Sequence, residues 1–158
     1  MHAFSEKLLL TDPEQTCRMA GRLAPVLRTG DVVLLSGDVG AGKTHFARCV
    51  IQSQMDIPED VPSPTFTLVQ TYPARNAEIW HADLYRLSDV NDVFELGLID
   101  AFENAICLIE WPDRLGDLTP ASALHLEMQT LEDPDHREAT FRWTDPVWND
   151  RMSGVFDV

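Results

Sequence analysis

Residues 36–47 read SGDVGAGKTHFA, in which Gly37, Gly42, Lys43 and Thr44 fit the spacing G-x-x-x-x-G-K-[ST]. That pattern makes a phosphate cradle. Glycines let the backbone curl so that successive amides across Gly37, Asp38, Val39, Gly40, Ala41 and Gly42 point inward at an anion. A helix starting near Lys43 adds the partial positive charge of its N-terminus. Lys43 is placed to reach the β- and γ-phosphates, and the Thr44 hydroxyl to ligate Mg²⁺.

Phosphoryl chemistry also needs a carboxylate at the end of a strand beside the loop, to hold the metal or order the attacking oxygen. Two acids qualify. Glu110 ends the apolar run AICLIE, and Asp83 lies in HADLYR after Ile79 and Trp80. One would serve the metal or its water, the other would polarise the nucleophile. His81 reads as a structural hydrogen-bonding histidine rather than a catalyst. Trp111 follows the Glu110 strand and fits either the core or a wall of the nucleotide pocket. Thr65, in the proline-rich stretch SPTF, is positioned to approach the metal or γ-phosphate when its loop closes.

These residues need a frame. DVVLL before the loop reads as a buried strand over 31–36, and HFARCVIQ as a helix over 43–54. Upstream, Thr11 and Asp12 precede Pro13 and Glu14, which predicts a helix with a Thr11–Glu14 capping box, running to Gly30. DIPEDVPSPT (56–65) is a loop, and FTLVQTY and EIWHADLY are two strands. DVNDVFELGLIDAF favours short helices with apolar positions at Val90, Val93, Phe94 and Leu98. AICLIEW is a central strand, and SALHLEMQTL with REATFRWT forms a late antiparallel pair. The sum is a single α/β domain over 1–158, a P-loop NTPase-like three-layer fold. Its sheet is mixed, with a parallel core plus antiparallel strands, and residues after about 146 form a short helix or a disordered tail.

Composition sets the boundaries. The chain has 158 residues and a net charge of −14; its only lysines are Lys7 and Lys43. Such a balance argues against direct grip on nucleic acid, which needs a basic face. No apolar run reaches membrane-spanning length and MHAFSEKLLL lacks a secretory core, so a cytoplasmic address is expected. Cys17, Cys49 and Cys107 have no paired spacing and are read as buried free thiols, not as metal or redox groups.

Taken in order, GDVGAGKT, SPTF, HADLYRL, ELGLID and LIEWPDRL resemble the TsaE family, bacterial ATPases of tRNA threonylcarbamoyladenosine synthesis. The resemblance covers about residues 30 to 116. It implies ATP or ADP with Mg²⁺ as cofactors, weak hydrolysis by the isolated protein, and action on the partner proteins TsaD and TsaB. tRNA would then be met only through that complex, which makes the acidic composition unsurprising. By motif, Lys43 would meet the phosphates, Thr44 and Glu110 would hold Mg²⁺, and Asp83 would be the catalytic or water-ordering acid. Thr65 would belong to a switch-like loop, Trp111 would be an aromatic beside the site, and Thr11 a candidate for base contact. ELGLID is read as facing a partner or supporting a switch. His45 departs from the small residue usual in the family and is expected to face away from the phosphates.

Three other readings start from the same loop. A small-molecule kinase would bring an arginine-rich lid, for which Arg86 and Arg114 are too scattered; a GTPase would need N-K-x-D, which is absent. A non-catalytic docking module that merely holds nucleotide is the third.

Overall fold

The computed structural model describes residues 3–64, 67–75 and 77–156. Its centre is a seven-stranded mixed sheet in the order β1-β7-β6-β2-β5-β4-β3. In chain order the strands are β1 (Phe4–Leu10), β2 (Val32–Gly37), β3 (Val69–Pro73), β4 (Glu78–Asp83), β5 (Ile106–Glu110), β6 (Leu124–Thr130) and β7 (Arg137–Trp143). The helices are α1 (Pro13–Leu23), α2 (Lys43–Ser53), α3 (Asn91–Glu95), α4 (Leu98–Asn104) and α5 (Val147–Arg151).

Alternation along the central strands makes three layers. Val33 and Leu35 of β2, with Ile106 and Leu108 of β5, face α1 and α2. Val32 and Leu34, with Cys107 and Ile109, face the opposite side, where Val93 of α3 and Leu98 of α4 cover them. Strands buried on both faces need continuous apolar runs, which VVLL and ICLI supply. β2 is parallel to β5 and β6, and β4 is parallel to β5. β3 adds antiparallel to β4, while β7 and then β1 extend the other edge antiparallel.

The structure departs from the sequence expectations in several places. β1 is a strand where no element is expected; it pairs with β7 from Phe4 opposite Trp143 to Leu10 opposite Arg137. α1 stops at Leu23 and passes into a 3₁₀ turn, Ala24–Val26, well short of Gly30. Pro25 explains this, because it has no N–H to donate and its ring crowds the preceding turn. The cap of α1 is displaced by one residue: Asp12 Oδ1 accepts from the Gln15 amide at 2.8 Å, and Gln15 Oε1 accepts from the Thr11 amide at 2.7 Å. At the short α3, Val93 is buried while Phe94 and the N-cap Val90 are exposed, since one turn of helix buries only one stripe.

After residue 146 the chain forms the short helix α5 and stays packed on the domain. Arg151 pairs with Asp31 at 2.8 Å, and Trp148 Nε1 donates to the Ser122 carbonyl at 2.8 Å. Cys17 and Cys49 are joined in a disulfide, contrary to the expectation of three free thiols; Cys107 alone is free and buried. Packing of α1 on α2 brings the pair to a Cα separation of 5.2 Å across 32 residues of chain, which spacing in the sequence does not reveal. No described helix is long and apolar enough to cross a membrane.

Candidate functional site

The loop between β2 and α2 opens on a steric demand. Gly37 has φ 134°, and a Cβ there would overlap the Met128 carbonyl of neighbouring β6. Gly42 takes the left-handed conformation as the N-cap of α2, φ 102°, which an L side chain resists. Between them Ala41 is buried and donates its amide to the Asp38 carbonyl at 3.0 Å, while Val39 stands out at 80% exposure. The Gly40 carbonyl accepts from Arg137 of β7 at 3.4 Å.

Five side chains converge where α2 begins. Lys43 is buried, donates to the Gly37 carbonyl, and sits 3.8 Å above the Trp111 ring. Burial pulls its pKa below the ordinary lysine value, and nearby Glu110, Asp83, Asp38 and Asp113 pull the other way. Thr44 Oγ1 donates to Glu110 at 2.8 and 3.0 Å from its two carboxylate oxygens. His81 Nε2 lies 2.6 Å from Glu110 Oε2, and both side chains are buried. Its Nδ1 has no hydrogen-bond partner among the described residues. Asp83 stands directly opposite Glu110 in the parallel β4–β5 register, and its Oδ1 accepts the Tyr85 amide at 3.0 Å. Two carboxylates thus end adjacent strands at the same level, beside the start of α2.

Trp111 turns the chain off β5 in the left-handed conformation, φ 58°, with its amide on the Leu35 carbonyl at 3.3 Å. Its ring packs partly on the second core and partly against Tyr85, ring centres 4.9 Å apart. Both alternatives weighed from sequence therefore apply, because the ring also lines a cavity of about 410 Å³. That cavity is walled by Val39, Lys43, Thr44, Asp83, Glu110 and Trp111 among others. A second hollow of about 270 Å³ lies across the loop, between Asp12, Pro13 and Thr16 of the α1 start and Asp135 and Arg137. Thr11 precedes that wall and does not line it. Thr65 lies outside the described residues.

His45 does not simply turn away. Its Nε2 is 3.0 Å from the Pro13 carbonyl, and the residue forms part of the wall of both hollows. In ELGLID, Leu98 is buried and Gly97 leaves room for Trp80, whose ring lies 3.5 Å from where a Cβ would stand. Sequence reasoning passed over Tyr85, Arg137 and the His81–Glu110 bond. Tyr85 lay in HADLYR and was within reach; Arg137 comes from a distant strand and carried no local signal.

The oxygens of Thr44 and Glu110 suit a hard cation. Neighbouring ligands of an octahedral Mg²⁺ stand about 2.9 Å apart, given metal–oxygen bonds of about 2.1 Å, and the Thr44–Glu110 separations of 2.8 and 3.0 Å match this. Curled amides, a lysine and a helix N-terminus beside them suit an anion of phosphate type.

This loop, joining a parallel strand to a helix with a carboxylate at the tip of the adjacent strand, defines a P-loop-like α/β fold. The family model described as "Threonylcarbamoyl adenosine biosynthesis protein TsaE" matches residues 10–139, and the chain belongs to that family. It is 38% identical over 126 residues to the tRNA threonylcarbamoyladenosine biosynthesis protein TsaE of Rickettsia felis, covering 80% of this chain and 74% of that protein. The protein of the same name from Rickettsia bellii is 35% identical over 133 residues, covering 84% and 92%. Among solved structures, Bacillus subtilis YdiB superposes with a TM-score of 0.79 at 26% identity, over 98% of this chain and 96% of that one.

Proposed function

We propose that this chain is a Mg²⁺-dependent, ATP-binding and ATP-hydrolysing accessory protein of tRNA N6-threonylcarbamoyladenosine synthesis that acts on the TsaD–TsaB complex. Membership of the TsaE family supports the pathway. The observation that carries the chemistry is the Thr44–Glu110 contact beside the buried Lys43.

In this reading the triphosphate lies along the loop amides, with base and ribose toward the hollow at the start of α1. Lys43 leaves the Gly37 carbonyl for the β- and γ-phosphate oxygens. Thr44 and Glu110 supply metal oxygens, and His81 holds the Glu110 carboxylate in place through their buried bond. The chemistry a Mg²⁺ held by these oxygens would supply is neutralisation of phosphate charge. Asp83, level with Glu110 on the adjacent strand, accepts a hydrogen bond from the attacking water and orients it toward the γ-phosphorus. Trp111 shields the charge of Lys43 from bulk water.

Because tRNA is held by the partner proteins, a net charge of −14 is compatible with the role. The test is phosphate release from ATP with and without TsaD and TsaB, in the presence of tRNA. The partners should raise the rate, and Glu110→Ala should remove it. An unchanged rate on adding the partners would overturn the assigned role, and parent-level turnover in Glu110→Ala would overturn the metal site.

A further inference from the structure

A second group of metal-ligating side chains lies on the seam between α1 and α2, apart from the two acids. Cys17 comes from α1; His45 and Cys49 come from α2, one helical turn apart and so on one face. The ligand atoms of all three lie within 4.8 Å of one another, with His45 Nε2 3.8 Å from Cys49 Sγ. We propose that, when the Cys17–Cys49 bond is reduced, Cys17, Cys49 and His45 bind one zinc ion.

The donor set selects the ion. Two thiolates and an imidazole suit a borderline-soft d¹⁰ cation, whereas Mg²⁺ takes oxygen. Donor atoms around tetrahedral zinc, with bonds of about 2.3 Å to sulfur and 2.0–2.1 Å to nitrogen, stand roughly 3.4–3.8 Å apart. The His45–Cys49 separation of 3.8 Å is within a few tenths of an ångström of the roughly 3.6 Å of a sulfur–nitrogen pair. The sulfurs reach it by side-chain rotation once their bond is opened, and His45 Nε2 must give up its contact with the Pro13 carbonyl. Three protein donors leave a fourth position for water.

The disulfide and the zinc site are alternative states of the same atoms. A dithiol reductant opens the Cys17–Cys49 bond by exchange, becoming a disulfide itself and leaving two thiols. Zinc binding to both sulfurs then releases two protons. The oxidised chain offers only His45 and does not bind.

Cobalt(II) and zinc(II) alone are the probes, added without nucleotide to chain reduced by a dithiol and freed of it under anaerobic conditions. The reduced parent should bind one cobalt per chain with a thiolate-to-cobalt charge-transfer band, which zinc abolishes stoichiometrically. Cys17→Ser and Cys49→Ser should each weaken the band, the double variant should lack it, and His45→Ala should weaken zinc binding at least about tenfold. Glu110→Gln should keep the band, so failure of the phosphate-site reading leaves this result intact. As a measurement needing no variant, zinc should protect Cys17 and Cys49 from maleimide, read by mass spectrometry of peptides. A reduced parent with no thiolate band, an unchanged band in the double variant, or equal labelling with and without zinc would overturn the proposal.

Discussion

The Thr44 hydroxyl and the Glu110 carboxylate, 66 residues apart in the chain, are hydrogen-bonded at 2.8 Å. This bond closes the first turn of α2 onto the tip of β5, and a divalent cation would take the same oxygens. With Thr44 on one side and His81 on the other, Glu110 is held from two sides before any ligand arrives, and Asp83 stands level with it on β4.

Glu110→Gln keeps the shape and a partner for His81 but removes a charge. Turnover of ATP with Mg²⁺ should fall by at least about two orders of magnitude, the scale of losing several kcal/mol of transition-state stabilisation. Binding should change in opposite directions with and without metal. In chelator, two carboxylates repel the triphosphate, so the variant binds ATP more tightly than the parent. With Mg²⁺ the variant lacks a ligand and binds more weakly. Calorimetric titration under both conditions checks the crossing, and the same ranking in both would contradict it.

Lys43→Ala should weaken ATP binding by about 1.5–3 kcal/mol, the worth of a charge-assisted hydrogen bond. Lys43 lies over the Trp111 ring, so drawing it to the phosphates should alter indole emission. The emission change on adding ATP should vanish in Trp111→Phe, while the other tryptophans remain as an internal control.

Gly37 and Gly40 both have positive φ, yet their surroundings differ. Nothing lies within 4 Å of a Cβ at Gly40, whereas one at Gly37 would meet the Met128 backbone. Gly40→Ala should therefore cost about 1–2 kcal/mol from backbone conformation alone. Gly37→Ala should cost about 3 kcal/mol or more and force β6 away from β2. Denaturant unfolding of the two variants side by side measures the gap; equal losses would deny the close approach.

Cys107 should be chemically silent. Burial pushes its thiol pKa up to about 12, so at pH 8 only about one molecule in ten thousand carries the reactive thiolate. Iodoacetamide at that pH should label Cys17 and Cys49 after reduction, and Cys107 only once denaturant is added. Raising the pH towards 12 would increase the Cys107 thiolate fraction tenfold per unit, so labelling of Cys107 in the folded chain at pH 8 would refute the shift.

Much of this arrangement was legible from local pattern. Glycine spacing places the loop, and a continuous apolar run ending in an acid places Glu110, because a parallel strand delivers its last side chain beside that loop. Other features had no local signature. FSEKLLL exposes most of its residues and becomes a strand only because β7 offers it an edge. The Cys17–Cys49 contact depends on how two helices pack, and Arg137 reaches the Gly40 carbonyl from the far hairpin. Where α1 stops was written in the sequence: Pro25 interrupts a periodic pattern whose apolar positions otherwise run on to Leu27.

The pairing of β1 with β7 bears on how the chain comes off the ribosome. Among the described residues β1 pairs only with β7, which follows much later in the chain, and one edge of β2 stays bare until β6 emerges. Segments 32–110 can dock β2, β5 and β4 during translation, but β1 has no described strand to zip onto until residue 143 is free. Closure of the sheet is therefore a late event by connectivity alone, and a nascent chain stalled before that point carries an uncapped edge open to unwanted association.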